Sequence, residues 1–197
     1  MRDILKKMPR QLTLRFRLLG LLPLVFFLAQ TIHYRRVGGM GNLLWMCNLG
    51  NLLLAIGLLF AQRELIRAAA IWTMPGLIIW IRYVVLEYDY VFSSLLAHVG
   101  GIAIGLIALR RVRMDRLAWL YAFAWYLLVQ LAARLLTAPE LNVNLAFRIQ
   151  PGWEQIFGSY WKFWIAMFAV VAAGLWVMGK VLGWLWPSTP RLTDCDG

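Results

Sequence analysis

A chain of 197 residues in which 62% are hydrophobic and only 15% charged carries far more apolar surface than a soluble domain of that length can bury. The net charge of +11 invites a nucleic-acid reading, yet lysine and arginine fall in short clusters between apolar runs and form no continuous polar face, which argues against nucleic acid and fits loops at a membrane surface. Two cysteines far apart, Cys47 and Cys195, make neither a disulfide framework nor a zinc spacing.

The basic start MRDILKKMPRQLTLRFR leads into an apolar run, and no small-residue cleavage site follows FFLAQTIHYRR, so the run reads as a first membrane helix. At roughly 20 apolar residues per crossing, helices are predicted over 16–33, 43–61, 66–86, 91–109, 116–136 and 159–185. The fold class is therefore all-α, a six-helix transmembrane bundle in one domain, 1–186, with a flexible tail over 187–197. Pro23 and Pro75 are predicted to kink the first and third helices. Gly101 with Gly105, and Gly179 with Gly183, have the four-residue spacing that lets helix backbones approach closely. Most tryptophans, among them Trp45, Trp153, Trp161, Trp164, Trp184 and Trp186, fall near helix ends as interface anchors. The stretch TAPELNVNLAFRIQPGWEQIFG, 137–158, is too polar to cross and reads as an ordered, re-entrant or interfacial segment.

Orientation follows from the basic residues. With the N-terminus inside, fourteen of the twenty lysines and arginines lie on the inner side, from Arg2 through Arg17, Arg63, Arg67, Arg110, Arg111, Arg113, Arg116 and Lys180 to Arg191. The outer side keeps Arg35, Arg36, Arg82, Arg134, Arg148 and Lys162, which puts both termini in the cytoplasm.

Polar residues inside the apolar runs are costly and face a bundle interior. In LLWMCNLGNLLLA, Cys47, Asn48 and Asn51 fall on one helical arc, about 6 to 12 Å below the outer boundary at 1.5 Å per residue. His98 shares an arc with Ser94, Gly101 and Gly105 about 10 Å deep. Tyr126, Gln130, Arg134 and Thr137 form a stripe on the fifth helix, and Arg82, Tyr83 and Glu87 end the third. The common depth predicts a polar cavity opening toward the outer leaflet. A buried thiol is inert without a base or a positive neighbour. Cys47 is thus the candidate nucleophile and His98 its base, with Arg82 or Arg134 to stabilise a thiolate or hold a lipid phosphate, and Asn48 or Asn51 to donate to an oxyanion in acyl transfer. Gln130 belongs with them as a substrate-binding candidate.

LLWMCNLGNLLL, followed two helices later by LLAHVGG and then by NVNLAF before the last helix, resembles the YwaF-like family of small integral membrane proteins over about residues 43 to 165. A lipid acyltransferase proposed to use a cysteine is grouped with that family. The resemblance implies a six- or seven-helix bundle, a catalytic Cys47 with His98 as partner, and Asn142 and Asn144 as the asparagine-bearing loop before the final helix. Its many bacterial relatives imply the bacterial inner (cytoplasmic) membrane. Where the acyltransferase branch has histidine after the cysteine, this chain has Asn48.

Two functions compete. One is a lipid-modifying enzyme of the outer leaflet acting on membrane lipids; the other is a non-catalytic subunit or assembly factor whose partners are other integral membrane subunits. With His33 and His98 at different depths, the chain does not suit a haem or quinone carrier, and neither cofactor nor metal is expected. No inverted repeat supports a transporter.

Overall fold

The computed structural model describes residues 12–87 and 92–188. The side chains of Tyr83 and Glu87, the turn at 88–91, Cys195 and the rest of the tail beyond 188 lie outside the described residues. Among the described residues there are six main helices: α1 (Leu14–Val37), α2 (Met46–Leu59), α3 (Arg63–Glu87), α4 (Phe92–Val112), α5 (Ala118–Leu136) and α6 (Tyr160–Leu185). No strand occurs among the described residues.

Five of these helices are long and apolar enough to cross a membrane. The second, predicted over 43–61, is the exception at 14 residues. That is about 21 Å of rise against roughly 30 Å of hydrocarbon. Both of its ends have a local cause. Trp45 is extended, so a separate 3-10 turn, Met40–Leu44, precedes the helix. Ala61 takes a left-handed φ of 59° just beyond Leu59, which stops propagation. The helix is central: Asn48, Gly50, Asn51, Leu53, Leu54, Ala55, Gly57 and Leu58 are all buried.

Hydrogen bonds at the two ends fix the course of the chain. At one end Arg17 Nε donates to Leu59 O at 2.7 Å, Arg67 Nε to Arg113 O at 2.8 Å, and Met114 N to Trp186 O at 2.7 Å. At the other, Ser93 Oγ donates to Gln30 Oε1 at 2.8 Å, and Arg134 donates to Tyr160 Oη at 2.7 Å. The first four helices therefore run antiparallel in sequence, as do α5 and α6. Arg15, Arg17, Arg63, Arg67, Arg110, Arg111, Arg113, Arg116 and Lys180 gather at the first, basic end; buried amides gather at the second.

The apolar core lies toward the basic end, where Leu54, Leu58, Ile66, Ile71, Trp72 and Leu109 pack around the alanine run Ala68, Ala69, Ala70. Trp72 donates its indole N–H to Ala122 O at 2.9 Å, so this tryptophan is a core residue. The outward faces are equally apolar: Val25, Leu28 and Ile32 on α1, Leu127, Leu128 and Leu131 on α5, and Ile165, Val170 and Val181 on α6 are exposed, an exterior suited to lipid. Trp153, Trp161 and Trp184 are exposed near helix ends, as anchors require.

Pro23, predicted to kink its helix, lies three residues after a break at Leu19–Gly20, in the first turn of the restarted segment Leu21–Val37, where a missing N–H costs little. Pro75 sits inside α3 without ending it. Gly38 closes α1 at φ 77°, a left-handed conformation open to glycine.

Candidate functional site

Helices α2 and α4 carry the predicted nucleophile and base. Cys47 lies in the first turn of α2, and His98 lies in a π-helical turn, Leu96–Gly100, within α4. Such a turn widens the helix and frees carbonyls from the i+4 ladder. Asn51 uses that: its Nδ2 donates to Ala97 O at 2.9 Å and to Cys47 O at 3.0 Å, tying α2 to α4. Gly101 makes room, since a Cβ there would lie 2.5 Å from Asn51 Oδ1. That oxygen is fully buried without a hydrogen-bond partner among the described residues.

His98 is 8% exposed and held on two sides. Its ring stacks on Trp80 with centroids 5.3 Å apart and planes 18° from parallel, and Trp80 Nε1 donates to Ser94 Oγ at 2.9 Å. His98 Nδ1 lies 2.8 Å from Ser94 O, a carbonyl that can only accept. In the neutral imidazole the proton therefore sits on Nδ1 and Nε2 keeps its lone pair. Cys47 and His98 both border Gly76 of the third helix: a Cβ added there would meet Cys47 Cβ at 3.4 Å and His98 Cδ2 at 3.8 Å. No hydrogen bond joins Cys47 Sγ to the imidazole among the described residues.

The remaining predicted ligands are brought to the same end but are engaged with one another and with main chain. Asn48, 1% exposed, donates to Asn42 O at 2.9 Å and accepts from Gln30 Nε2 at 3.4 Å. Asn142, at φ 44°, accepts from Phe147 N and Arg148 N, both at 3.1 Å, and donates to Arg148 O at 3.2 Å, so it shapes the loop. Asn144, at φ 52°, spans the break before α2: its Oδ1 accepts from Met46 N at 3.1 Å and its Nδ2 donates to Leu44 O at 2.7 Å. Gln130 Nε2 donates to Asn144 O at 2.7 Å and to Tyr126 Oη at 2.9 Å, leaving its buried Oε1 unpartnered among the described residues. Arg134 donates Nε to Ala146 O at 2.9 Å, Tyr160 Oη also donates to Ala146 O, and the guanidinium lies 5.5 to 5.7 Å from the rings of Tyr160, Trp161 and Trp164. Arg82 stands apart, exposed and without a hydrogen bond among the described residues.

The stretch 137–158 is thus an ordered cap, with Val143 and Ala146 buried against Ala133, Leu44 and Trp45. Two chemical regions result. One holds Cys47 and His98 next to Gly76; the other is an amide and arginine clamp that fastens the cap. Both hydrogens of the Asn51 amide are occupied, so in this arrangement it offers an acceptor and no oxyanion donor. Gln30, Trp80, Gly76 and Tyr160 were missed from sequence. Gln30 carried the same signal as the asparagines, an amide inside LVFFLAQTIHY. Among the described residues no group of three metal-ligating side chains is present.

No protein-family profile, curated protein or solved structure matches the chain.

Proposed function

We propose that this is a six-span membrane protein with both termini cytoplasmic, whose outer half holds a thiol–imidazole centre for lipid acyl transfer. The sixth crossing is α2, whose short rise is extended by the 3-10 turn Met40–Leu44. The basic end faces the cytoplasm, in line with the positive-inside rule. The observation that supports the catalytic reading is that Cys47 and His98 border the same residue, Gly76, with the imidazole fixed by Ser94 O so that its free nitrogen is the basic one. The likeness to YwaF-like proteins supports the same pair.

In the reaction, His98 Nε2 takes the Cys47 thiol proton as Sγ attacks the ester carbonyl of a lipid. The alkoxide that leaves receives that proton from His98, and the acyl group remains on sulfur as a thioester. An acceptor hydroxyl then gives its proton to His98 and attacks the thioester. The thiolate departs and is reprotonated from the imidazolium.

The test is mass spectrometry of the protein in bilayers of phosphatidylethanolamine and phosphatidylglycerol. An acyl mass on the Cys47 peptide, removed by hydroxylamine and lost in His98→Ala, is expected. A Cys47 that stays unmodified while the protein remains folded overturns the reading.

A second reading, a scaffold subunit of a larger membrane complex, is favoured by the way Gln30, Asn48, Asn142 and Asn144 satisfy one another and the main chain. It requires co-purification with other integral proteins in stable proportion and tolerance of Cys47→Ala.

A further inference from the structure

At the basic end, opposite the thiol–imidazole pair, a cleft of about 280 Å³ lies between the start of α5 and the end of α6. It is built in. Met114 N donates to Trp186 O and holds the α4–α5 connection against the end of α6. Gly179 lets α6 lie against α5, where an added Cβ would be 3.1 Å from Trp119 Cβ, while at Gly183 the nearest atom would be Met114 Cγ at 3.8 Å. The volume is close to the lower end of ligand pockets, roughly 300 Å³. It suits a headgroup and not an acyl chain.

Its charged lining is Arg116, Lys180 and Asp115. Asp115 Oδ1 already accepts from Leu117 N at 2.8 Å, in the turn that opens α5. Arg116 is exposed and has no hydrogen bond among the described residues, and Lys180 Nζ lies 5.7 Å from the ring of Trp176 without a carboxylate partner there. Trp184 lines the cleft, and it and the neighbouring Val181 and Leu185 are exposed and apolar, a surface for acyl chains. Two available cations in a walled cleft, with a lipid-facing helix as one flank, form the arrangement by which basic pockets between membrane helices hold phosphate headgroups.

We propose that the cleft formed by Arg116, Lys180, Gly179 and Gly183 is a binding site for the phosphodiester headgroup of an anionic phospholipid, its chains lying along α6. The site is independent of Cys47 and His98, so its failure leaves the catalytic reading untouched.

The experiment uses the full chain in nanodiscs of equal parts phosphatidylglycerol and phosphatidylcholine, with retained lipid read by native mass spectrometry. Arg116→Gln with Lys180→Gln is expected to lower preferential phosphatidylglycerol retention about tenfold or more, from the loss of charge-assisted contacts to one phosphate. Gly183→Leu, which fills the cleft without removing charge, is expected to lower it as well. Arg110→Gln with Arg111→Gln removes the same charge from the same end and is expected to leave retention unchanged. An equal fall in that control, or no fall in the two cleft variants, overturns the proposal. Displacement of the lipid by inorganic phosphate alone would reassign the cleft to a soluble phosphate and overturn the lipid assignment.

Discussion

Asn51 and Gly101 are matched residues, since the amide of Asn51 has room only because Gly101 carries no Cβ. A methyl at Gly101 would overlap Asn51 Oδ1, so Gly101→Ala is expected to cost about 1 to 3 kcal/mol, the usual range for overpacking. Thermal unfolding in detergent measures it. In the Gly101→Ala, Asn51→Ala double variant the overlap is gone, and the combined loss should be smaller than the sum of the single losses. Gly76 behaves differently. Its hypothetical Cβ meets Cys47 and His98 at ordinary contact distances, so Gly76→Ala should leave the unfolding temperature nearly unchanged. A bulkier Gly76→Leu wedges the pair apart and should abolish the thioester on Cys47. Retention of the adduct in a folded Gly76→Leu protein would show that the space between the two residues is not where the chemistry occurs.

Among the elements, the cap and α2 depend on each other. Asn144→Gly keeps the left-handed backbone open but removes the amide, leaving Met46 N and Leu44 O without their partner. A loss of about 1 kcal/mol is expected for stranded, partly buried groups, and hydrogen exchange should accelerate at the first turn of α2 and not at its last. Asn144→Ala should cost more, because Ala at φ 52° adds backbone strain. These elements also show how far sequence reading reached. The all-helical, apolar architecture follows from hydropathy and helical period and appears in the fold. The start of α2 at Met46 could not be read, because it is set by an extended Trp45 and an asparagine distant in sequence. The π-helical turn around His98 was equally invisible, since LLAHVGG contains nothing that distinguishes i+5 from i+4 pairing. Arg134 was legible as a residue near the outer boundary but not as a clamp, for its partners are main-chain oxygens that any sequence would supply.

For the whole molecule, the unequal ends make sidedness testable. With the basic end in the cytoplasm, a cysteine placed at exposed Glu140 or Glu154 should be labelled from outside intact cells by an impermeant maleimide, and one placed at Arg111 only after permeabilisation. The reverse pattern would invert the orientation and move the thiol–imidazole pair to the inner leaflet. Division of labour between ends also has an energetic side. The apolar core and its alanine run fill the half toward the basic end, whereas the other half relies on hydrogen bonds among amides and main chain. In membranes such bonds average about 0.6 kcal/mol each. Single amide deletions there should therefore loosen the cap locally before they unfold the bundle.

The bond from Met46 N to Asn144 reaches across 98 positions of chain. During synthesis, α2 leaves the ribosome long before its capping residue exists, and it is also the shortest of the six helices. Newly made protein must therefore shelter an unfinished second segment until the loop after the fifth has been translated. A nascent chain halted before residue 142 is expected to leave that segment open to protease, and one halted after the sixth helix to protect it.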